Sequence, residues 1–230
     1  MTGLTRRQFT AHGLSTLLAA SVPGSAFAQL LAQVTPSRTP GTRAPAVTTD
    51  QAQIYLIRGL FGVFSTGMDQ MAAQFKAQGY SNVTLWSWTD VDTIAADIIS
   101  GHENGDTAHV ILIGHSLGSD AVVQVADKLN ANAIPVDLAV TFDITEGLRV
   151  PLNVARFINF YQDNGFGRPA VEPDGFTGEF SNINLSSQTQ LDHGNIDNAP
   201  QLQAFVMDRV YEITHSHIRT VTAKRNTKRG

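Results

Sequence analysis

His109-Val110-Ile111-Leu112-Ile113-Gly114-His115-Ser116-Leu117-Gly118-Ser119-Asp120-Ala121 is the stretch that decides how the rest of the chain is read. An unbroken apolar run meets Gly-His-Ser-Leu-Gly and then a helix-compatible segment, the strand, sharp turn and helix order of a nucleophile elbow. Ser116 is expected at the tip of that turn, on strained backbone. Gly114 and Gly118 lack a Cβ and let the strand and helix close on each other. Such a turn holds the serine hydroxyl clear of its own backbone. It also aims a helix N-terminus, with free N–H groups and partial positive charge, at any oxyanion formed on an attacked carbonyl.

Outward from the elbow, short apolar runs alternate with segments of helical period. Ile54 to Ile57 and Val83 to Trp88 read as strands, as do Val136 to Phe142, Arg156 to Tyr161 and Phe180 to Leu185, with the elbow strand ending at Ile113. Helices are expected over Thr66 to Ala77, from Asp90 and Thr93 through Ile99, from Ser116 to about Ala131, and over Pro200 to Thr214. This alternation predicts a three-layer α/β/α sandwich with a mainly parallel sheet of about six strands. Two regions break it. Residues 143 to 155 are too few for a helix with both its connections. Gln162 to Glu179 is a Gly- and Pro-rich loop that carries Phe166 and Phe176, and a loop of that length in a compact domain is usually functional.

The 230 residues are 42% apolar and 16% charged and contain no cysteine. One globular domain with a sizeable core fits that composition, and cysteine catalysis and Cys-ligated zinc are excluded. At the N-terminus, Thr5-Arg6-Arg7-Gln8-Phe9-Thr10 precedes a carboxylate-free apolar stretch from Ala11 to Val22. Ala26-Phe27-Ala28 then offers a small-x-small cleavage site. Residues 1–28 thus look like a twin-arginine export signal, which implies passage through the twin-arginine translocation machinery to the periplasm or beyond. The apolar part is too short for a stable membrane span. Residues 29–50 read as a flexible linker, 51–218 as the folded domain, and 219–230 as a basic tail. Residues 51–218 carry 7 Lys/Arg against 19 Asp/Glu, a net −12 that repels polyanions, so nucleic acid is not an expected partner.

The chain resembles the α/β-hydrolase superfamily, in particular its small exported bacterial lipase and esterase-like members. The motifs that carry the resemblance are Ile54-Tyr55-Leu56-Ile57-Arg58-Gly59-Leu60, Gly114-His115-Ser116-Leu117-Gly118, Asp143, and Asp192-His193-Gly194-Asn195-Ile196-Asp197. In that superfamily the triad runs serine, acid, histidine along the chain, an order available here. Arg58-Gly59 stands where many lipases carry His-Gly, which leaves Leu60 and Phe61 both open as the second oxyanion N–H beside that of Leu117. Lids in the superfamily are commonly inserted after the strand that here ends at Phe142. With so few residues there, the resemblance implies a minimal fold without a large lid.

Chemistry assigns the roles. A serine hydroxyl needs an imidazole to take its proton, and the imidazole needs an orienting carboxylate. His193 lies in a polar loop before the last helix, where it can reach back over the strand ends. His12 falls in the signal, His115 points away from the serine, His102 and His109 lie on connections at the far end of the sheet, and His215 and His217 follow the last helix. Asp143 and Asp163 each follow a strand end. Asp143 is preferred because its strand adjoins the elbow strand. Asp120, in the first turn of the elbow helix, is expected to serve the dipole and nearby donors. The resulting expectation is a serine hydrolase of esters or lipids, with Ser116, His193 and Asp143 catalytic and Phe61, Phe64, Phe166 and Phe176 lining an acyl groove. It implies no cofactor and no metal. Thioester cleavage or acyl transfer uses the same residues, and an exported binding module on the same fold is the non-catalytic alternative.

Overall fold

The computed structural model describes residues 28–29, 31, 51–60 and 65–227, with side chains described up to His215. The chain divides into two compact units, Met1–Ser37 and Arg38–Gly230, and the sheet with its covering helices belongs to the second. Apart from Ala28, Gln29 and Leu31, the expected export signal and linker lie outside the described residues, as do Phe61 and Phe64.

The elements are β1 (Ala52–Arg58), α1 (Thr66–Ala77), β2 (Val83–Ser87), α2 (Val91–Glu103), β3 (His109–His115), α3 (Leu117–Ala131), β4 (Leu138–Phe142), β5 (Arg156–Tyr161) and β6 (Glu179–Asn184). A short 3-10 turn (Ile196–Asn198) and α4 (Pro200–Thr227) close the unit. The strands form one sheet in the order β2-β1-β3-β4-β5-β6, with every neighbouring pair parallel. A parallel sheet must be covered on both faces, which is why β3 is apolar without alternation. Tyr55, Ile57, Leu112, Ala139 and Phe157 pack with Ile94 and Ile98 of α2 and Val122, Val125 and Leu129 of α3. Their alternates Ile54, Leu56, Ile111, Ile113 and Val140 are also fully buried, on the opposite face by the two-residue period of a strand. On that face Phe160 meets Phe205 of α4 edge-on, with ring centroids 5.7 Å apart.

Element bounds depart from the sequence expectation mainly at helix ends. α2 continues past Ile99 to Glu103, and α4 continues past Thr214 to Thr227, so the basic segment from Arg219 begins as helix. Thr214 lies inside α4, with its hydroxyl turned back to donate to the carbonyl of Val210 at 3.0 Å, a common arrangement for a threonine within a helix. Among the described residues, neither 143–155 nor 162–178 contains a helix.

The strand order positions the site. From β1 the chain moves outward to β2, then crosses back over β1 to β3 and continues away on the other side. The connections that leave the carboxyl ends of β1 and β3 therefore diverge, and a crevice opens between them.

Candidate active site

Ser116 occupies that crevice, between β3 and α3. Its φ of 58° and ψ of −129° lie in the left-handed half of the backbone map, where a residue with a Cβ is held only by its surroundings. Those surroundings are visible. The Ser116 N–H donates to the carbonyl of Phe142 at 2.9 Å. A Cβ on Gly114 would collide with the Gly118 carbonyl, and one on Gly118 with the Ile57 carbonyl, so only glycine fits the two flanks of the elbow. The buried Ser119 hydroxyl accepts the Phe142 N–H at 3.0 Å and lies 2.8 Å from the Gly114 carbonyl. It thereby stitches the elbow to the end of β4.

Asp143 comes next after that end, and it too has a positive φ, 54°. Its N–H donates to the Phe160 carbonyl at 2.7 Å, which turns the carboxylate back toward β3. One carboxylate oxygen accepts the Gln162 N–H at 2.8 Å. The other lies 3.0 Å from Nδ1 of His193. His193 Nε2 in turn lies 2.9 Å from the Ser116 hydroxyl. An acid that receives Nδ1–H leaves the Nε2 lone pair facing the serine, which is the tautomer a general base requires. His193 is placed by a tight turn: the Gly194 N–H donates to the Asp192 carboxylate at 2.8 Å, and the Asp192 N–H donates to the Asn195 side chain at 2.9 Å.

Both remaining acids go elsewhere. Asp163 is exposed, accepting from Asn184 at 2.7 Å and from the Ser186 hydroxyl at 2.5 Å, and these bonds hold its carboxyl below the usual carboxylate range. Asp120 is buried and accepts the N–H groups of Thr145 and Glu146 at 3.0 and 3.2 Å. Burial raises its carboxyl above the usual range, against the pull of the Thr145 hydroxyl and these two amides.

Leu117 is the first residue of α3, so its N–H has no intrahelical acceptor. Leu60 follows Gly59, whose Cα side lies directly against Ser116: an added Cβ would sit 2.8 Å from Ser116 Cβ. The turn after β1 thus borders Ser116, with the Leu60 side chain 46% exposed. Phe166 also belongs here. Its ring is 68% exposed, with its centroid 4.9 Å from that of His193.

Phe176 does not. It packs edge-on against Phe180 at 5.9 Å and joins the core under α2 and α3. Its ring tip reaches Gly178 beside the carbonyls of Val154 and Ala155, at the start of β5 and thus at the opposite end of the sheet. The Gly-rich loop is anchored at that end, so only its first half reaches the site. Neither Phe166 nor Phe176 lines the concavity described beside the elbow. It is a groove of about 370 Å³ bounded by Trp88, Thr89, Val91, Leu117, Asp120, Gln124 and Glu146.

Several residues around the triad carry no sequence signature of a role. Gln162 is buried, and its side-chain amide donates to the Leu185 and Leu191 carbonyls at 3.3 and 3.1 Å, tying the acid to the segment that leads into His193. His115 is buried beside His193, with ring centroids 5.0 Å apart, and burial pushes its pKa down to about 4. Asp197 is buried where α1 begins. It accepts the Gly67 N–H at 3.0 Å, and burial pushes its carboxyl up to about 7 despite that bond.

Compared with known proteins, the chain matches no family model, and no curated protein sequence matches it significantly. Its function is therefore read from the geometry of the site. Among the described residues, no three His, Asp or Glu side chains converge as a metal site, and no helix is long and apolar enough to cross a membrane.

Proposed function

We propose that the chain is a serine hydrolase of the α/β-hydrolase type that cleaves carboxylic esters through an acyl-serine intermediate. The observation that carries this reading is the unbroken hydrogen-bonded line from the Ser116 hydroxyl through His193 to buried Asp143, at 2.9 and 3.0 Å. Three side chains from three separate loops meet in the one order that activates a hydroxyl.

In the reaction, Ser116 Oγ attacks the ester carbonyl carbon while His193 Nε2 takes its proton. The charge that develops on the carbonyl oxygen is held by the N–H groups of Leu117 and Leu60, and the imidazolium by the Asp143 carboxylate. Collapse of the tetrahedral adduct breaks the carbon–oxygen bond to the alcohol, which leaves with the proton from His193. Water then attacks the acyl-serine with His193 as base, and the acid departs as Ser116 regains its proton. The groove past Leu117 would receive one side of the ester. The paired arginines of the N-terminal segment support export by the twin-arginine route as part of the same proposal.

A fluorophosphonate probe tests the reading without knowledge of the natural ester. Stoichiometric labelling of the folded protein, with the adduct on the Ser116 peptide and none in Ser116→Ala, is the expected result. A folded wild-type protein that takes no label refutes the hydrolase reading and favours a binding module on this fold.

A further inference from the structure

His115 has more to do than precede the nucleophile. Its Nε2 lies 2.7 Å from the backbone carbonyl of His193. A carbonyl can only accept, so this nitrogen must carry the proton. Burial keeps the ring neutral at pH 7, so Nδ1 is a bare acceptor. The group it faces, 2.9 Å away, is the buried hydroxyl of Ser65. That hydroxyl therefore donates to Nδ1, and its own lone pair accepts the Gly59 N–H at 3.0 Å. Every donor and acceptor in the series is fixed in one direction: Gly59 N–H to Ser65 Oγ, Ser65 O–H to His115 Nδ1, His115 Nε2–H to the carbonyl of His193. The other ionisable groups that face His115 are Asp197, with Oδ2 3.9 Å from Nδ1 and beyond hydrogen-bond reach, and the triad members His193 and Asp143.

We propose that Ser65 and His115 are positioning residues that lock the turn bearing Leu60 to the loop bearing His193, so that the oxyanion donor and the general base are set by one buried hydrogen-bond relay. The inference rests on the triad reading above for its catalytic consequence. The relay ends on Gly59, the residue immediately before Leu60, and on the backbone of the base itself. Losing it leaves both free to drift, and displacement of a positioned group by about 1 Å costs about a hundredfold in rate.

Three variants in the full chain separate positioning from packing. His115→Phe keeps the ring volume and removes donor and acceptor. His115→Gln keeps an amide N–H that reaches the His193 carbonyl. Ser65→Ala cuts the link between His115 Nδ1 and the Gly59 N–H. His115→Phe is expected to lower kcat about a hundredfold with KM little changed, and His115→Gln to recover most of that loss. In ¹⁵N spectra of the imidazoles, the wild type should show His115 protonated at Nε2, and Ser65→Ala should leave that proton on Nε2, held by the His193 carbonyl, while the Nδ1 signal shifts on losing its donor. His115→Phe should weaken the hydrogen-bonded Nδ1 proton of His193. Equal kcat losses in Phe and Gln variants that track only their melting temperatures would overturn the relay, as would a wild-type His115 protonated at Nδ1. The spectra do not depend on turnover. Correct tautomers in a protein that takes no fluorophosphonate label would sink the hydrolase reading and leave the relay standing, whereas wrong tautomers in a labelled protein would sink the relay alone.

Discussion

Asp197→Asn should make the fold progressively more stable than the wild type as pH rises. The Asp197 side chain has no exposure, and burial holds its carboxyl near 7 against an ordinary value of 3.8. In the unfolded chain the proton leaves near 3.8; in the folded chain it stays until about 7. Between these values the native state binds more protons than the unfolded state, so stability falls with pH. The contribution is fully present below 3.8 and lost as pH rises through about 7. At 1.36 kcal/mol per unit, the interval amounts to about 4 kcal/mol. Asparagine does not titrate and keeps a carbonyl for the Gly67 N–H, so any cost of altered hydrogen bonding is the same at every pH. Urea unfolding of both proteins from pH 4 to 8 should give a difference that moves in the variant's favour by about 1.4 kcal/mol per pH unit and levels off above about 7. A difference independent of pH would show that Asp197 is ionised throughout in the folded protein. The α1 N-terminus would then hold the charge more strongly than burial opposes it.

The remaining predictions concern the triad, its surroundings and export. Asp143→Asn keeps the acceptor for the Gln162 N–H and removes the charge, so kcat should fall about 10⁴-fold, as in the serine-protease precedent, with little change in KM. Asp163→Asn, whose carboxylate serves Ser186 and Asn184, should cost little, and steady-state kinetics showing the reverse pattern would move the acid to β5. Gly167→Ala places a methyl group against the Asp143 carboxylate and the Gln162 amide. Urea unfolding should register a loss of about 1–3 kcal/mol together with reduced kcat, and an unchanged kcat would mean that the loop yields without disturbing the acid. Arg6→Lys combined with Arg7→Lys should retain the precursor in the cytoplasm; mature protein appearing in the periplasm at the wild-type level in fractionated cells would refute the twin-arginine reading.

How legible each part is depends on how local its determinants are. The elbow can be read because strand, turn and helix follow one another within a single short stretch, and the apolar run of β3 has no alternation to confuse it. The acid cannot be separated on the same basis, since Asp143 and Asp163 both follow strand ends. What distinguishes them is the left-handed turn at Asp143, enforced by the Phe160 carbonyl on a neighbouring strand. Ser65 and His115 lie 50 residues apart, and nothing in either neighbourhood announces the other. His115 does point away from the nucleophile, as its place one residue ahead implies, but its partners belong to two other loops. Phe166 and Phe176 look alike in a segment with no period. The fold divides them because the loop runs the length of the sheet, leaving one ring beside His193 and packing the other, half-buried, at the far end.

On the proposed function, the crossing from β2 back to β3 and the late position of His193 in the chain would impose an order on the appearance of activity. Ser116 and Asp143 follow adjacent strands, and both are fixed once β3, β4 and β5 have paired, because β5 and the residue after it hold Asp143. The base arrives only when the segment after β6 folds back, 77 residues from the serine. Closing so long a loop is the slow kind of step. A refolding chain is expected to pass through states with a formed elbow and undocked His193, which on the proposed mechanism would bind no probe covalently. The rate at which fluorophosphonate reactivity returns becomes a clock for docking of the last segment, distinct from the recovery of secondary structure that circular dichroism follows.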